Sequence, residues 1–156
     1  MKVVFLDRDG VINEFPGNGL YVTRVKDFHF LPRSLEALKL LTERGYHIFV
    51  VSNQAGVGKG VYTKNKLEQI TSHMMKHVKA AGAKIDEVFY CTCKSSDGCH
   101  SQTRTIFFNA AVRSSDVSGE LFVGCPDSLN LAGCHSCSAV SAIAHTSERK
   151  SLKICA

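Results

Sequence analysis

Four apolar residues near the start of the chain, Val3-Val4-Phe5-Leu6, run directly into Asp7-Arg8-Asp9-Gly10. A short run of β-branched and aromatic residues is the pattern of a buried strand. Two carboxylates two residues apart at its end must meet water, a cation or a ligand, since an isolated buried carboxylate is very costly. The strand therefore ends at the carboxyl edge of a sheet, where open α/β folds place their ligands. One acid can serve as nucleophile and the other as general acid/base, and together they suit a hard cation. Gly10 fits because the chain must turn sharply behind the acids. This is equipment for phosphoryl transfer.

The residues that follow fix the layer architecture. Lys2–Asp7 reads as the first strand, and residues 10–31 as a long flap with Pro16, Gly17 and Gly19. Pro32 opens a helix through Arg44, with Leu35, Leu38 and Leu41 on one face. Tyr46–Ser52 is a second buried strand. Thr63 caps a helix to about Ala81, whose apolar positions Leu67, Ile70, Met74 and Val78 keep helical spacing. Ile85–Cys91 is a third strand. Strand, helix, strand, helix, strand implies a parallel, doubly wound sheet.

The whole chain of 156 residues suits one domain with a real core. Its net charge of +5 favours anionic substrates, but the Lys and Arg are scattered without an aromatic-studded stripe, so no nucleic-acid partner is expected. No apolar run approaches the roughly 20 residues that span a bilayer, so no membrane association is expected either. Met1-Lys2 leads straight into the strand without a signal sequence, so the expected location is the cytoplasm. There, seven Cys argue for metal or thiols rather than disulfides. A monomer is expected.

A second motif, Ser52-Asn53-Gln54-Ala55-Gly56-Val57-Gly58-Lys59-Gly60, follows the second strand. A hydroxyl with amides from the next turn makes a phosphate cradle, and glycines let backbone approach the anion. It is not a Walker A loop: Asn53 stands where a Gly is required, and Gly60 where Ser or Thr must follow the Lys.

Taken together, D-R-D-G-V-I-N and S-N-Q-A-G-V-G-K-G resemble the haloacid dehalogenase superfamily of phosphatases. The nearest branch holds the heptose bisphosphate and histidinol-phosphate phosphatases. The resemblance is strong over residues 2–99. It implies a Rossmann-like three-layer α/β sandwich with a small flap or cap, a Mg²⁺ cofactor and an aspartyl-phosphate intermediate. By position, Asp7 is then the nucleophile and Asp9 the acid/base. The Asp7 carboxylate and the Asp9 carbonyl ligate Mg²⁺, and Ser52, with Asn53 beside it, binds the phosphoryl group. The substrate implied is a small phosphorylated sugar of the D-glycero-D-manno-heptose 1,7-bisphosphate type. Histidinol phosphate and a polynucleotide 3′-phosphate are the alternatives. The resemblance also implies a structural Zn²⁺ loop over 91–101, with Cys91, Cys93 and Cys99 at three ligand positions. Ser101 falls on the fourth, and the adjoining His100 is its only substitute.

The last third departs from this pattern. Twelve of the fifteen Ser and five of the seven Cys lie after residue 93. The family segment that carries a phosphate-neutralising Lys is replaced by His100-Ser101-Gln102-Thr103-Arg104-Thr105-Ile106. Cys125 and Leu129 stand where two acids are expected, so Asp127 could reach the Mg²⁺ only if its loop slips by two residues. Gln102–Ile106 can be encoded by CAA ACC CGG ACT ATT. Read one base later, with a following T, this gives Lys-Pro-Gly-Leu-Phe, so a local frameshift around 100–106 is one expectation. A catalytically impaired homologue that at most binds is the alternative reading of function. Helices near 106–113 and after Pro126, strands at 120–123 and 139–144, and a polar tail over 146–156 complete a single domain of residues 1–145. Arg24 and Lys26 in the flap read as surface charge in preference to a second phosphate site. His73 and His77 read as surface residues, and Cys134-His135-Ser136-Cys137 as a weak metal pattern.

Overall fold

A computed structural model describes residues 2–92, 120–124, 140–145 and 153–154. Six strands form one sheet: β1 (Lys2–Leu6), β2 (Tyr46–Asn53), β3 (Glu87–Cys91), β4 (Glu120–Gly124), β5 (Val140–His145) and β6 (Lys153–Ile154), in the order β3-β2-β1-β4-β5-β6. Strand β1 pairs in parallel with β2 on one side and β4 on the other, and β2 pairs in parallel with β3. The chain thus builds outward from β1 to β3, then returns to the far side of β1. That reversal defines the crevice at the carboxyl end of β1 where doubly wound sheets bind ligands.

The expected mainly parallel sheet is present, with an antiparallel margin. Strand β5 pairs antiparallel with β4, and β6 antiparallel with β5. The last of these pairs two residues of the stretch read as a polar tail. An edge strand presents open backbone groups that any extended segment can pair with, and Lys153–Ile154 do so opposite Ser141 and Val140.

Three helices are described: α1 (Ser34–Glu43), the single turn α2 (Ala55–Gly58) and α3 (Lys64–Ala80). Period-two alternation along the strands divides the core. Val4 and Leu6 of β1 and Ile48 and Val50 of β2 pack with Leu38 of α1 and Ile70, Met74 and Val78 of α3. Val3, Phe5 and Val51 face the other way, with Phe49 and Phe89 against them. Helix α3 starts where expected: Thr63 is its N-cap, and its side chain accepts from the Lys66 amide at 3.3 Å. Each of its fully buried apolar side chains contributes about 1.5–3 kcal/mol.

Helix α1 starts two residues later than expected. Pro32 sits not in its first turn but at the second position of a β-turn, closed by the Ser34 amide on the Leu31 carbonyl at 3.1 Å. Arg33 takes the left-handed conformation (φ 64°) at the third. Proline before a positive-φ residue is a type II turn pattern.

The flap is fastened at its root. The Glu14 amide donates to His29 O at 2.8 Å and the Leu31 amide to Ile12 O at 3.0 Å, while Ile12, Val22 and Phe28 are buried in the main core. No helix among the described residues is long and apolar enough to cross a membrane. The expected helices near 106–113 and after Pro126 lie outside the described residues.

Candidate active site

Leu6 is in register with Val50 of β2 and with Val123 of β4, so the residues after Leu6 leave the sheet at its carboxyl edge between two parallel neighbours. Asp7 is 1% exposed, and its carboxylate accepts the Arg8 amide at 2.6 Å. Gly10 (φ 83°) makes the turn, and the Val11, Ile12 and Asn13 amides converge on the Arg8 carbonyl at 3.4, 2.9 and 3.1 Å. The Asp9 carbonyl stays outside that set.

Between the two acids lies Arg8, wholly buried. A buried guanidinium is tolerated only when it is paired. It is: Nε and Nη2 reach Asp9 Oδ1 at 3.1 and 3.0 Å, and Nη2 also reaches Asp9 Oδ2 at 3.0 Å. Burial is the largest single influence and works against its charge, but the adjacent Asp9 carboxylate, together with Tyr90 and Tyr62, raises its pKa. The guanidinium also lies 5.7 Å from the centre of the Tyr90 ring, within cation–π range. Sequence reasoning assigned Arg8 no role. The signal was there, since an arginine flanked by two acids at the end of a buried strand has nowhere polar to go except toward them.

Gln54 was equally missed. It is wholly buried just past β2. Its Nε2 donates to Asp9 Oδ2 at 2.7 Å and to the Ser52 hydroxyl at 3.3 Å. Its Oε1 accepts from Arg8 Nη2 at 3.0 Å and from the Tyr62 hydroxyl at 2.5 Å. Burial, with the Asp9 charge and neighbouring Tyr90 and Tyr21 adding and Arg8 opposing, pushes the Tyr62 pKa up to about 12. Asn13 completes the set, donating to Asp9 Oδ1 at 2.9 Å.

Ser52 is buried at the end of β2, and its hydroxyl oxygen takes the Gln54 proton, which leaves its own O–H to donate outward. Asn53 beside it is exposed. Several amides of the glycine-rich stretch are engaged within the fold. The amides of Gln54, Val57, Lys59, Gly60 and Val61 are all used inside the loop or on Cys91. Gly56 serves packing. A Cβ on Gly56 would lie 2.6 Å from Tyr62 Cε1 and 2.8 Å from Tyr21 Cγ, so only glycine lets the flap's Tyr21 close onto this loop. Lys59 adds a 3.0 Å hydrogen bond to the Tyr21 hydroxyl.

The other candidates separate clearly. Arg24 is held by the Asp27 carboxylate at 2.7 Å on the flap surface, in keeping with its reading as surface charge. His73, half-buried, and His77, exposed, lie at the surface as read. Their rings stand 4.3 Å apart and lie against Phe28 and Phe30 of the flap. Burial first, then the nearby His77 and Lys76, lower the His73 pKa. No group of three metal-ligating side chains occurs among the described residues. Cys91 is buried at the end of β3. Its expected zinc partners Cys93, Cys99 and His100 lie outside the described residues, as do Asp127, Arg104, Cys125 and Cys134–Cys137. A cavity of about 430 Å³ between α3 and β3 is lined by Lys64, Glu68 and Tyr90 among others, and includes neither acid.

A doubly wound sheet with paired acids at the switch point, a buried hydroxyl on the next strand and a flap folded over the loop between them defines the haloacid dehalogenase class. Within that class the chain belongs to the polynucleotide kinase 3 phosphatase family, whose model matches residues 2–120. It is 34% identical over 99 residues to the D-glycero-beta-D-manno-heptose-1,7-bisphosphate 7-phosphatase of Helicobacter pylori, covering 63% of this chain and 56% of that protein. It is also 34% identical over 91 residues to the corresponding alpha-heptose 7-phosphatase of Photorhabdus laumondii, covering 58% of this chain and 48% of that one. The chain therefore spans about half the length of these curated relatives. The crystal structure of a D,D-heptose 1,7-bisphosphate phosphatase from B. bronchiseptica, complexed with magnesium and phosphate, superposes with a TM-score of 0.69 at 29% identity, covering 76% of this chain and 65% of that one.

Proposed function

We propose that this chain is a Mg²⁺-dependent phosphatase of a small phosphorylated sugar of the D-glycero-D-manno-heptose 1,7-bisphosphate type, acting through a covalent intermediate on Asp7. The observation that carries the reading is the placement of Asp7, Asp9 and Ser52 together at the carboxyl edge of adjacent parallel strands. The relatives' names support the substrate class.

The Asp7 carboxylate attacks phosphorus. The bond to the leaving alkoxide breaks, and Asp9 supplies the proton that makes it an alcohol. Asp9, now a carboxylate, takes a proton from water, whose oxygen attacks the same phosphorus. Inorganic phosphate leaves and Asp7 is restored. The Ser52 hydroxyl donates to the transferring group throughout. Such catalysis depends on positioning and charge neutralisation, since the transition state is loose and highly anionic.

The donor set fits Mg²⁺ as far as it is described. The Asp7 carboxylate and the Asp9 carbonyl are hard oxygen donors of the kind the ion takes. The amides of the turn donate to the Arg8 and Asn13 carbonyls and leave that of Asp9 aside. The ion would neutralise charge on the phosphoryl oxygens. Asp127 as a third ligand, and a structural Zn²⁺ on Cys91, Cys93 and Cys99, are further proposals. Metal content of the purified protein tests them, at about one equivalent of zinc if the loop is loaded.

The deciding assay is phosphate release from heptose 1,7-bisphosphate, histidinol phosphate and an aryl phosphate with Mg²⁺, for wild type and Asp7→Asn. Turnover that disappears in Asp7→Asn supports the reading. A folded protein that releases no phosphate from any of the three refutes it. That result favours the impaired-homologue reading, for which Cys125 and residues 100–106 are the sequence grounds.

A further inference from the structure

We propose that Gln54 and Arg8 are positioning residues that hold the Asp9 carboxylate for its acid–base role. The proposal rests on the phosphatase reading and extends it to two side chains that the reaction does not touch. Both Asp9 oxygens are engaged: Oδ1 by Arg8 Nε at 3.1 Å and Asn13 Nδ2 at 2.9 Å, and Oδ2 by Arg8 Nη2 at 3.0 Å and Gln54 Nε2 at 2.7 Å. Three side chains from two separate segments therefore fix one carboxylate in place and in rotation.

The Gln54 amide can face only one way. Its Oε1 receives two donors, Arg8 Nη2 at 3.0 Å and the Tyr62 hydroxyl at 2.5 Å. A flipped amide would set its NH₂ against both donors and its carbonyl against the Asp9 carboxylate, leaving buried groups mispaired. Tyr62 and Arg8 thus choose the end of the amide that Asp9 meets. The same Nε2 also reaches the Ser52 hydroxyl at 3.3 Å. One buried amide consequently sets the spacing between the acid/base carboxylate and the hydroxyl assigned to the phosphoryl group. Catalytic groups held this closely lose rate steeply when displaced: a shift of about 1 Å can cost on the order of 10²-fold. The requirement is specific to glutamine. Leucine removes the donor, and glutamate sets a second carboxylate against the first.

The test compares wild type, Gln54→Leu, Gln54→Glu and Tyr62→Phe in steady-state hydrolysis of heptose 1,7-bisphosphate with Mg²⁺. Gln54→Leu is expected to lower kcat by about 10- to 100-fold with KM within about twofold. Gln54→Glu is expected to displace the pH profile of kcat as well. Tyr62→Phe is expected to lose less than about tenfold, because Arg8 still fixes the amide. A folded Gln54→Leu protein with wild-type kcat, or one altered only in KM, overturns the proposal. A second readout does not need turnover. In the NMR spectrum of the wild type, the Gln54 side-chain amide protons are expected to exchange slowly and to shift on Asp9→Ala, whereas an amide indifferent to Asp9→Ala refutes the clamp. Should the wild type release no phosphate, the phosphatase reading falls and this spectrum alone decides the clamp. Should it turn over and Gln54→Leu match it, the clamp falls and the phosphatase reading stands.

Discussion

Gly56→Ala is the sharpest structural test of how the flap is seated. Gly56 lies in the short helix α2 with ordinary backbone angles, so alanine meets no conformational strain there. In isolation the change would even favour the helix, by about 0.5–1 kcal/mol. Against this, the added Cβ would stand 2.6 Å from Tyr62 Cε1, and 2.8 and 2.9 Å from Tyr21 Cγ and Cδ1. Two aromatic rings on different segments must move. Tyr62 is buried and tied to Gln54, so Tyr21 on the flap is the ring with room to give. Overpacking of this kind costs about 1–3 kcal/mol, so the net loss should be about 1–2 kcal/mol. At about 2–4 °C per kcal/mol for a chain of this size, the melting temperature should fall by roughly 2–8 °C. Calorimetry gives the stability, and limited proteolysis at 14–24 reads the flap. Tyr21→Ala should remove part of the penalty, so the double mutant should be less destabilised than the sum of the singles. A Gly56→Ala protein as stable as wild type, with an unchanged flap, would show that the close packing of Tyr21 on this loop is not what requires the glycine.

Arg33→Gly should stabilise the protein by about 0.5–1 kcal/mol, because glycine relieves the left-handed backbone. The Arg33–Glu36 pair it sacrifices is mostly exposed and worth little. An unchanged or lower melting temperature would contradict this. Thr63→Ala removes the cap acceptor for the Lys66 amide and should cost about 1 kcal/mol in chemical denaturation; no change would mean that solvent replaces the cap. Asp86 titrates below its usual 3.8: burial opposes ionisation, but hydrogen bonds from Lys84 and the Ile48 amide outweigh it. A carboxylate with a lowered folded pKa contributes stability that is present above pH 3.8 and is lost as pH falls through the lower folded value. Wild type should therefore exceed Asp86→Asn in stability at pH 6 and lose that margin on acidification; a margin that is the same at pH 6 and pH 2.5 would refute the sign.

The sheet's first half was legible because its signals are local and mutually consistent. Val3–Leu6, Tyr46–Ser52 and the Leu67-Ile70-Met74-Val78 stripe form the strands and helix read for them; the first and last are buried throughout, and Ile48 and Val50–Ser52 are the buried part of the second. Thr63 was legible as a cap for the same reason. Pro32 misled because proline suits both a first helical turn and the second position of a β-turn; the positive φ at Arg33 chose between them, and arginine gives no hint of it. The acids and Ser52 were legible by chemistry, but what grips them was not. Gln54 looked like a spacer in a glycine-rich loop, since its partners Arg8 and Tyr62 are 46 and 8 residues away. Gly56 gave no sign of the Tyr21 and Tyr62 rings packed on it, because freedom of backbone approach reads the same whatever fills the space. The antiparallel pairing of β5 depends on how the chain returns to the sheet, which no local pattern records.

Among the described residues, every side chain gripping Asp9 comes from residues 8 to 54, while β4 reaches the same edge from 66 or more residues farther along the chain. The two sides of the crevice are therefore written in separate stretches of the gene. Among the described residues, no side chain after β3 joins the hydrogen bonds that hold Asp9. The anchorage of the acid and the far wall of the crevice are thus separately heritable in this architecture: the described contacts that hold Asp9 are inherited with the first stretch, whatever is replaced in the second.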